Sequence, residues 1–115
     1  VVKNAEQKTL AEIAEARAAL VKKAQSGTLA REEMSGGTFT ISNLGMYDID
    51  SFTPTVNPPE AGILGIGRTR DCAEIVIRPM ATFSFSYDHR LIDGAPAAVF
   101  LSKIKALAEN PMLML

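Results

Sequence analysis

The chain has 115 residues, of which 47% are hydrophobic and 22% are charged, and its 12 basic and 13 acidic side chains leave a net charge of −1. These values are typical of one soluble globular domain, and the balanced charge gives no indication of a surface for nucleic acid or for a membrane. With a single cysteine, Cys72, we expect neither an internal disulfide nor a thiolate metal site, and with no apolar run near the roughly 20 residues that span a bilayer we expect a cytoplasmic protein.

The first predicted element is a helix over residues 10–26. Thr9 and Glu12 form a capping-box pattern at its start, and Gly27 is a stop signal at its end. A short helical turn at "AREEM", residues 30–34, is expected to follow. Apolar and small side chains recur at the i, i+3 and i+4 spacing of one helix face, and that face carries Leu10, Ile13, Ala14, Arg17, Leu20, Val21 and Ala24.

A strand and a long loop come next. After the break at Gly36 and Gly37, "TFTISNL", residues 38–44, alternates polar and apolar side chains and predicts a strand with two unlike faces. Residues 45–59 have no helical period and are rich in proline, so they predict a long ordered loop. Long loops in compact domains are often functional.

Three further runs have the composition of strands. "AGILGIGR", residues 61–68, and "AEIVIRP", residues 73–79, predict a hairpin around a polar turn at "TRDC", residues 69–72, with Pro79 ending the second strand. "ATFSFSYD", residues 81–88, predicts a third strand, with hydroxyl-bearing residues on one face. Its other face carries the aromatic residues Phe83, Phe85 and Tyr87.

The last predicted element is a helix from Gly94 to Glu109, with Asp93 as its N-cap and an end at Asn110 and Pro111. The tail "MLML", residues 112–115, is apolar and is expected to need a partner surface. The helix has the period of an amphipathic segment, and its predicted buried stripe consists of Ala97, Phe100, Leu101, Ile104, Leu107 and Ala108.

His89, the only histidine, lies between the third strand and the last helix, where a side chain can be held at the mouth of a cleft. From residue types alone, a lone loop histidine is more often a surface or capping residue, Asp93 is more often a helix cap, and Ser42 is more often a strand-pairing serine. A hydrolase triad of Ser42, His89 and Asp93 has suitable residue types. The chain has no GxSxG elbow, however, so the triad is not favoured.

Four sequence blocks, "GGTFTISNLG", "SFTPTVNPPEAGILGIGR", "SYDHRLIDGAPAAVFL" and "LAENP", resemble consecutive blocks of the dihydrolipoamide acyltransferases, the core components of the 2-oxo acid dehydrogenase complexes. The DHRxxDG block is the most specific. Chloramphenicol acetyltransferases share the fold, but the block "NPPEAGILGIG" favours the acyltransferases. The resemblance implies an α/β fold, a two-layer α+β sandwich like that of chloramphenicol acetyltransferase, with residues 1–115 as the C-terminal part of the catalytic domain.

The resemblance also implies transfer of an acyl group between the thiols of dihydrolipoamide and coenzyme A, with His89 as general base. A free thiol with a pKa of about 8.5 is only a few per cent thiolate at neutral pH, so an imidazole that takes its proton assists the attack. By the same resemblance Ser42 stabilises the oxyanion and contacts coenzyme A, Asp93 orients the site, and Asn43 and Gly67 line the coenzyme A channel.

The resemblance implies coenzyme A as a substrate and lipoamide carried on a separate lipoyl domain. It implies no metal. The active site would lie between subunits of a homotrimer, so that His89 and Asp93 face Ser42 of a neighbouring chain, and trimers would build a core of twenty-four or sixty subunits. The tail at residues 112–115 matches a segment for contacts between trimers, and the decarboxylase and dihydrolipoamide dehydrogenase components would bind through domains absent from this chain.

The alternative is a non-catalytic assembly module or an inactive truncated fragment. The identity of the acyl group stays open among acetyl, branched-chain and succinyl.

Overall fold

The structure, a computed structural model, describes residues 1–72 and 78–115. These residues divide into two compact units, one made of Val1–Gly37 with Ile104–Leu115 and the other of Thr38–Lys103. The described helices are α1 (Leu10–Gln25), α2 (Arg31–Met34) and α3 (Gly94–Glu109), and the described strands are β1 (Thr40–Asn43), β2 (Gly62–Ile66), β3 (Arg70–Cys72), β4 (Arg78–Met80) and β5 (Phe83–Tyr87). Single 3-10 turns lie at Ala5–Gln7, Gly45–Tyr47 and Pro111–Met114. Of the described helices, none is long and apolar enough to cross a membrane.

Helix α1 begins and ends where its sequence signals predict. The Thr9 hydroxyl accepts a hydrogen bond from the Glu12 amide at 3.3 Å, and the Thr9 amide donates to the Glu12 carboxylate at 2.7 Å. This reciprocal pair is the predicted capping box. The chain leaves the helix through Gly27, whose φ of 68° favours glycine. The predicted turn at residues 30–34 is confirmed as α2.

Strand β2 is the centre of a three-stranded sheet with the order β1-β2-β5. It pairs in parallel with β1 and antiparallel with β5, so Ser42, Gly65 and Ser84 lie in one row across the sheet. Four of the five β2 residues are buried, which is typical of a strand with neighbours on both edges. The predicted hairpin between residues 61–68 and 73–79 is therefore wrong, because both edges of β2 are taken by other strands.

A second, two-stranded sheet contains the residues that were expected to turn. Within the predicted turn at residues 69–72, Arg70–Cys72 form β3, which pairs antiparallel with β4. Pro79 lies opposite Asp71 in the middle of β4 rather than ending a strand. Proline is tolerated there because each strand of a two-stranded ribbon has a free edge, so a missing N–H need not break a ladder. Residues 73–77 of the predicted strand lie outside the described residues.

The buried apolar residues of the second unit are Ile63, Leu64 and Ala97, and the unit also contains an aromatic cluster. Phe85 of β5 lies with its ring centroid 5.2 Å from that of Phe100 and 6.0 Å from that of Phe39, and it stacks on Tyr87 at 5.5 Å. The predicted aromatic face of the third strand is thus confirmed for Phe85 and Tyr87. Aromatic pairs at these separations stabilise a core beyond the area that they bury.

The predicted buried stripe of the last helix is only partly covered. Ala97 is buried, with 4% of its surface exposed, whereas Phe100 and Leu107 are 42% and 37% exposed. Leu101 and Ile104 are half-buried and Ala108 is exposed. Side chains with helical spacing need a surface to cover them, and in the single chain that surface does not reach the whole stripe.

Gly67 follows β2 at a position where only glycine fits. A Cβ built there would lie 1.8 Å from the carbonyl oxygen of Asp50, and the residue is buried. We expect Gly67→Ala to destabilise the protein by about 1–3 kcal/mol, because the backbone at Asp50 must move. Chemical denaturation of the full protein measures this change. Gly94→Ala is the matched control, because its Cβ would meet Tyr87 at an ordinary 3.5 Å, and equal losses in both variants would contradict the expectation.

Candidate functional site

Ser42 and Asn43 close strand β1. Ser42 is half-buried and pairs with Gly65, while the Asn43 side-chain oxygen accepts a hydrogen bond from the Gly45 amide at 2.9 Å. That bond holds the start of the long loop, because an asparagine oxygen that accepts an amide two residues later forms an Asx turn. On the opposite side of the strand Ile41 is 65% exposed. The polar face of β1 is therefore the covered one, and its apolar face is open in the single chain.

His89 lies on a tight turn between β5 and α3. The amide of Asp88 donates to the Ala61 carbonyl at 2.9 Å, and the Asp88 carbonyl accepts from the amides of Leu91 and Ile92 at 3.0 and 3.1 Å. The His89 side chain is exposed, and its ring centroid lies 5.7 Å from that of Tyr87. The turn therefore presents the imidazole to the outside from a firmly bonded backbone.

The imidazole opens into a groove of about 760 Å³. One wall is the turn itself and the other is the end of the long loop, where Glu60 accepts a hydrogen bond from the Thr40 hydroxyl. The predicted functional loop thus reaches the same site as His89. The groove is lined by Val56, Pro58, Pro59, Glu60, Tyr87, Asp88, His89, Arg90 and Leu91.

The structure does not bring Ser42 to His89 within one chain. Ser42 lies in the row of Ser84, two strands away from β5, and His89 follows Tyr87 at the opposite end of that strand. Strand spacings of about 4.8 Å and a rise of about 3.4 Å per residue put Ser42 roughly 14 Å from Tyr87 and farther from His89. A triad of Ser42, His89 and Asp93 inside one chain is therefore excluded.

Asp93 immediately precedes α3, as predicted. It is exposed, and its carbonyl accepts the amide of Ala97 at 3.2 Å, which begins the helical ladder. Gly67, which the family resemblance places in the wall of the coenzyme A channel, has the Asp50 carbonyl in the space where a side chain would lie. Arg68 holds the loop that contains Asp48 and Asp50 at the same place, because its guanidinium forms ion pairs with Asp48 and, at 2.6 Å, with Asp50.

The two residues next to His89 in the sequence, Asp88 and Arg90, form a bidentate ion pair. The Arg90 guanidinium donates to both oxygens of the Asp88 carboxylate at 2.7 to 3.2 Å, and the Arg90 amide donates to Asp88 Oδ1 at 2.9 Å. These bonds lower the pKa of the Asp88 carboxyl to about 2, with the Arg90 guanidinium as the largest cause. Asp88 and Arg90 thus form an ion pair directly beside His89.

The lowered pKa of Asp88 predicts a stability effect with a definite sign. A carboxyl with a depressed pKa stabilises the fold fully above its ordinary pKa of about 3.9, and this contribution is lost as the pH falls toward the folded-state pKa. The melting temperature of the parent should exceed that of Asp88→Asn at pH 6, and the difference should shrink steadily toward pH 2. Thermal melts of both proteins across this range measure it, and a difference that grows with acidity would contradict the assignment.

Glu60 and Tyr87 line the groove, although the sequence patterns assign them no function. The alternation of aromatic residues in β5 placed Tyr87 on a face, but only the turn after β5 brings its ring to His89. Glu60 stands in the block "NPPEAGILGIG", which carries the family resemblance but indicates no role for its glutamate. Among the described residues there is no group of three or more His, Cys, Asp and Glu side chains that could hold a metal ion.

Comparison with known proteins gives a consistent picture. The sequence profile of the 2-oxoacid dehydrogenases acyltransferase (catalytic domain) family matches residues 1–115. The dihydrolipoyllysine-residue succinyltransferase component of the 2-oxoglutarate dehydrogenase complex of Rickettsia felis is 46% identical over 120 aligned positions, which cover 100% of this chain and 30% of that protein. The chain therefore spans less than a third of the length of this curated relative.

Solved structures are similar over nearly the whole chain. The dihydrolipoamide acetyltransferase of Azotobacter vinelandii aligns with a TM-score of 0.86 and 38% identity, covering 98% of this chain and 49% of that one. The cubic core of a pyruvate dehydrogenase multienzyme complex aligns with a TM-score of 0.84 and 38% identity, covering 96% and 48%. These likenesses confirm the predicted α/β fold class and its relation to acyltransferase cores.

Proposed function

The chain belongs to the 2-oxoacid dehydrogenase acyltransferase (catalytic domain) family, and we propose that its protein transfers an acyl group between the thiols of dihydrolipoamide and coenzyme A. The observation that carries this proposal is the exposed imidazole of His89, held by a bonded turn at the mouth of an open groove. Residues 1–115 are then the C-terminal part of the catalytic domain.

In this reaction His89 is the general base. Its neutral imidazole removes the proton from the attacking thiol, the sulfur forms a bond to the thioester carbonyl carbon, and the carbonyl oxygen becomes an oxyanion. Collapse of this tetrahedral intermediate breaks the bond to the leaving sulfur, which takes the proton back from the imidazolium. Positioned acid-base groups of this kind contribute on the order of 10² to 10⁴ in rate.

Ser42 is the proposed donor to the oxyanion, and Asp93 is proposed to orient the site. The Azotobacter vinelandii enzyme was studied for the role of a serine, a histidine and an asparagine in its catalytic mechanism, and there the asparagine follows the histidine by four residues. His89 and Asp93 have the same spacing, so an aspartate stands here where that enzyme has an amide. Both side chains can accept a hydrogen bond, which is the property that orientation requires.

Coenzyme A is the proposed second substrate, and lipoamide is proposed to arrive on a separate lipoyl domain. Asn43 keeps its amide nitrogen available beside Ser42, since the hydrogen bond to Gly45 uses only its oxygen. Gly67 supports the channel indirectly, because its lack of a side chain lets the loop at Asp50 pack beside the end of β2. Neither assignment requires a metal.

A homotrimer is proposed as the functional unit. Because Ser42 and His89 lie at opposite ends of the sheet, a complete site needs Ser42 from one chain and His89 with Asp93 from another. Apolar side chains at the chain end are open for contacts between trimers, with Leu113 and Leu115 exposed at 69% and 86%. Assembly of trimers into a core of twenty-four or sixty subunits, and binding of the decarboxylase and dihydrolipoamide dehydrogenase through other domains, complete this proposal.

The test is acyl transfer from acetyl-dihydrolipoamide and from succinyl-dihydrolipoamide to coenzyme A by the full protein. We expect acyl coenzyme A to form with one donor at a kcat/KM at least tenfold above the other, because the relatives include both succinyl- and acetyltransferases. Absence of turnover with these and with a branched-chain donor, in a correctly assembled oligomer, would instead support the alternative of a non-catalytic assembly module.

A further inference from the structure

Asp88 is the residue that holds the His89 turn together. Its amide donates a hydrogen bond to the carbonyl of Ala61, the residue before β2, and its carbonyl accepts from the amides of Leu91 and Ile92 on the far side of the histidine. The carboxylate adds a third connection, because Oδ1 accepts the Arg90 amide at 2.9 Å. Through its backbone and its side chain, Asp88 thus connects the residue before β2 with the three residues that follow His89.

The hydrogen bond from the Arg90 amide to the Asp88 carboxylate contributes more to this geometry than the ion pair with the Arg90 guanidinium does. The Arg90 side chain is 89% exposed, and a solvated ion pair of this kind holds little by itself. The Asp88 side chain is only 20% exposed, and its bond to an amide two residues later forms an Asx turn. This turn determines the direction of the backbone at His89.

We propose that Asp88 is a positioning residue, whose side-chain oxygen orients the His89 imidazole toward the groove through the Asx turn with Arg90. The inference rests on the proposed function of His89 as general base. The Asx turn requires an acceptor atom that reaches the Arg90 amide from a side chain as short as aspartate or asparagine, and the negative charge is secondary. A displacement of a catalytic group by 1 Å can cost about 10² in rate, so the turn geometry is coupled to turnover.

The experiment compares Asp88→Asn with Asp88→Glu in the full assembled protein. Asparagine keeps the acceptor at the same distance and removes the charge, whereas glutamate keeps the charge and moves the carboxylate one methylene farther from the Arg90 amide. We expect kcat to stay within about threefold of the parent in Asp88→Asn and to fall about tenfold in Asp88→Glu, with KM for coenzyme A unchanged in both. Asp71→Asn, an exposed aspartate in β3, is the control and should behave as the parent.

A structure of each assembled variant provides the second readout. The ring separation of 5.7 Å between His89 and Tyr87 should be kept in Asp88→Asn and altered in Asp88→Glu. The proposal is overturned by full activity of Asp88→Glu, by a loss in Asp88→Asn as large as in Asp88→Glu, or by a slow Asp88→Glu with an unmoved imidazole. A rise in KM without a fall in kcat would also overturn it, since it would mean that Asp88 contacts the substrate.

Failure of this inference is distinguishable from failure of the proposed function. If His89→Gln is inactive while Asp88→Glu is fully active, only the positioning role is wrong. If His89→Gln keeps the activity of the parent, the general-base assignment itself is wrong, whatever the Asp88 variants do.

Discussion

Replacement of His89 by glutamine should lower kcat for acyl transfer by about 10² to 10⁴, which is the contribution of a positioned general base. The thiol substrate is then only a few per cent ionised at neutral pH, and no other described residue in the groove is an imidazole. The His89 side chain is exposed, so its removal leaves no cavity and the fold should persist. Steady-state assays with acyl-dihydrolipoamide and coenzyme A measure the change.

Raising the pH gives a sharper version of the same test. At pH 9 a thiol with a pKa of about 8.5 is mostly ionised, so the deficit of His89→Gln should narrow as the thiolate forms without help. Lys105→Ala, which removes a charge from an exposed side chain of α3 that does not line the groove, is the control. A deficit of less than threefold at pH 7, in an oligomer of normal size, would contradict the assignment.

Replacement of Ser42 by alanine should lower kcat by about 10² to 10³, because one donor to the oxyanion is lost. Ser42 and His89 lie at opposite ends of the sheet in each chain, so each of the two inactive variants retains the half of the site that the other has lost. Oligomers that contain both Ser42→Ala and His89→Gln chains should therefore regain activity. If chains mix at random in equal amounts in a trimer with heterologous interfaces, about a quarter of the sites pair an intact Ser42 with an intact His89.

Co-expression of the two variants, with separate affinity tags to isolate mixed oligomers, measures this recovery. Each variant alone, assembled in the same way, is the matched control. Isolation removes the trimers that contain only one variant, and each remaining mixed trimer has one intact site in three, so recovery to about a third of the parent activity supports a site shared between chains. Activity no higher than that of the better single variant would show that the shared site is wrong, even if both single substitutions lower the rate.

Local sequence patterns predicted the elements that depend on neighbours along the chain. The capping box at Thr9 and Glu12 determined where α1 begins, and the start of α3 at Gly94 was also predicted. These signals are readable because a helix start needs bonding partners only within three or four residues. The aromatic alternation in β5 was readable for the same reason, since the strand period places alternate residues on one face.

Strand pairing was predicted less well, and the reason is physical. The run at residues 61–68 and the run at residues 73–79 are adjacent in sequence, so a hairpin was the expected arrangement, yet β2 pairs with β1 and β5. Pairing is determined by the burial of both faces and both edges of β2, which depends on residues far away in the chain. The chain order of strands alone therefore did not predict their order in the sheet.

The family resemblance, the helices and His89 as the candidate base can all be read from the sequence, because motif order and local hydrogen-bond signals are contained in short stretches of residues. Three features are visible only in the folded chain: Ser42 lies away from His89, Gly67 makes room for the carbonyl of Asp50, and Asp88 holds the turn around the histidine. Each of these depends on distances between atoms that folding brings together or keeps apart. Residue types indicate what chemistry is possible, and the packing of distant segments decides which of those groups can meet.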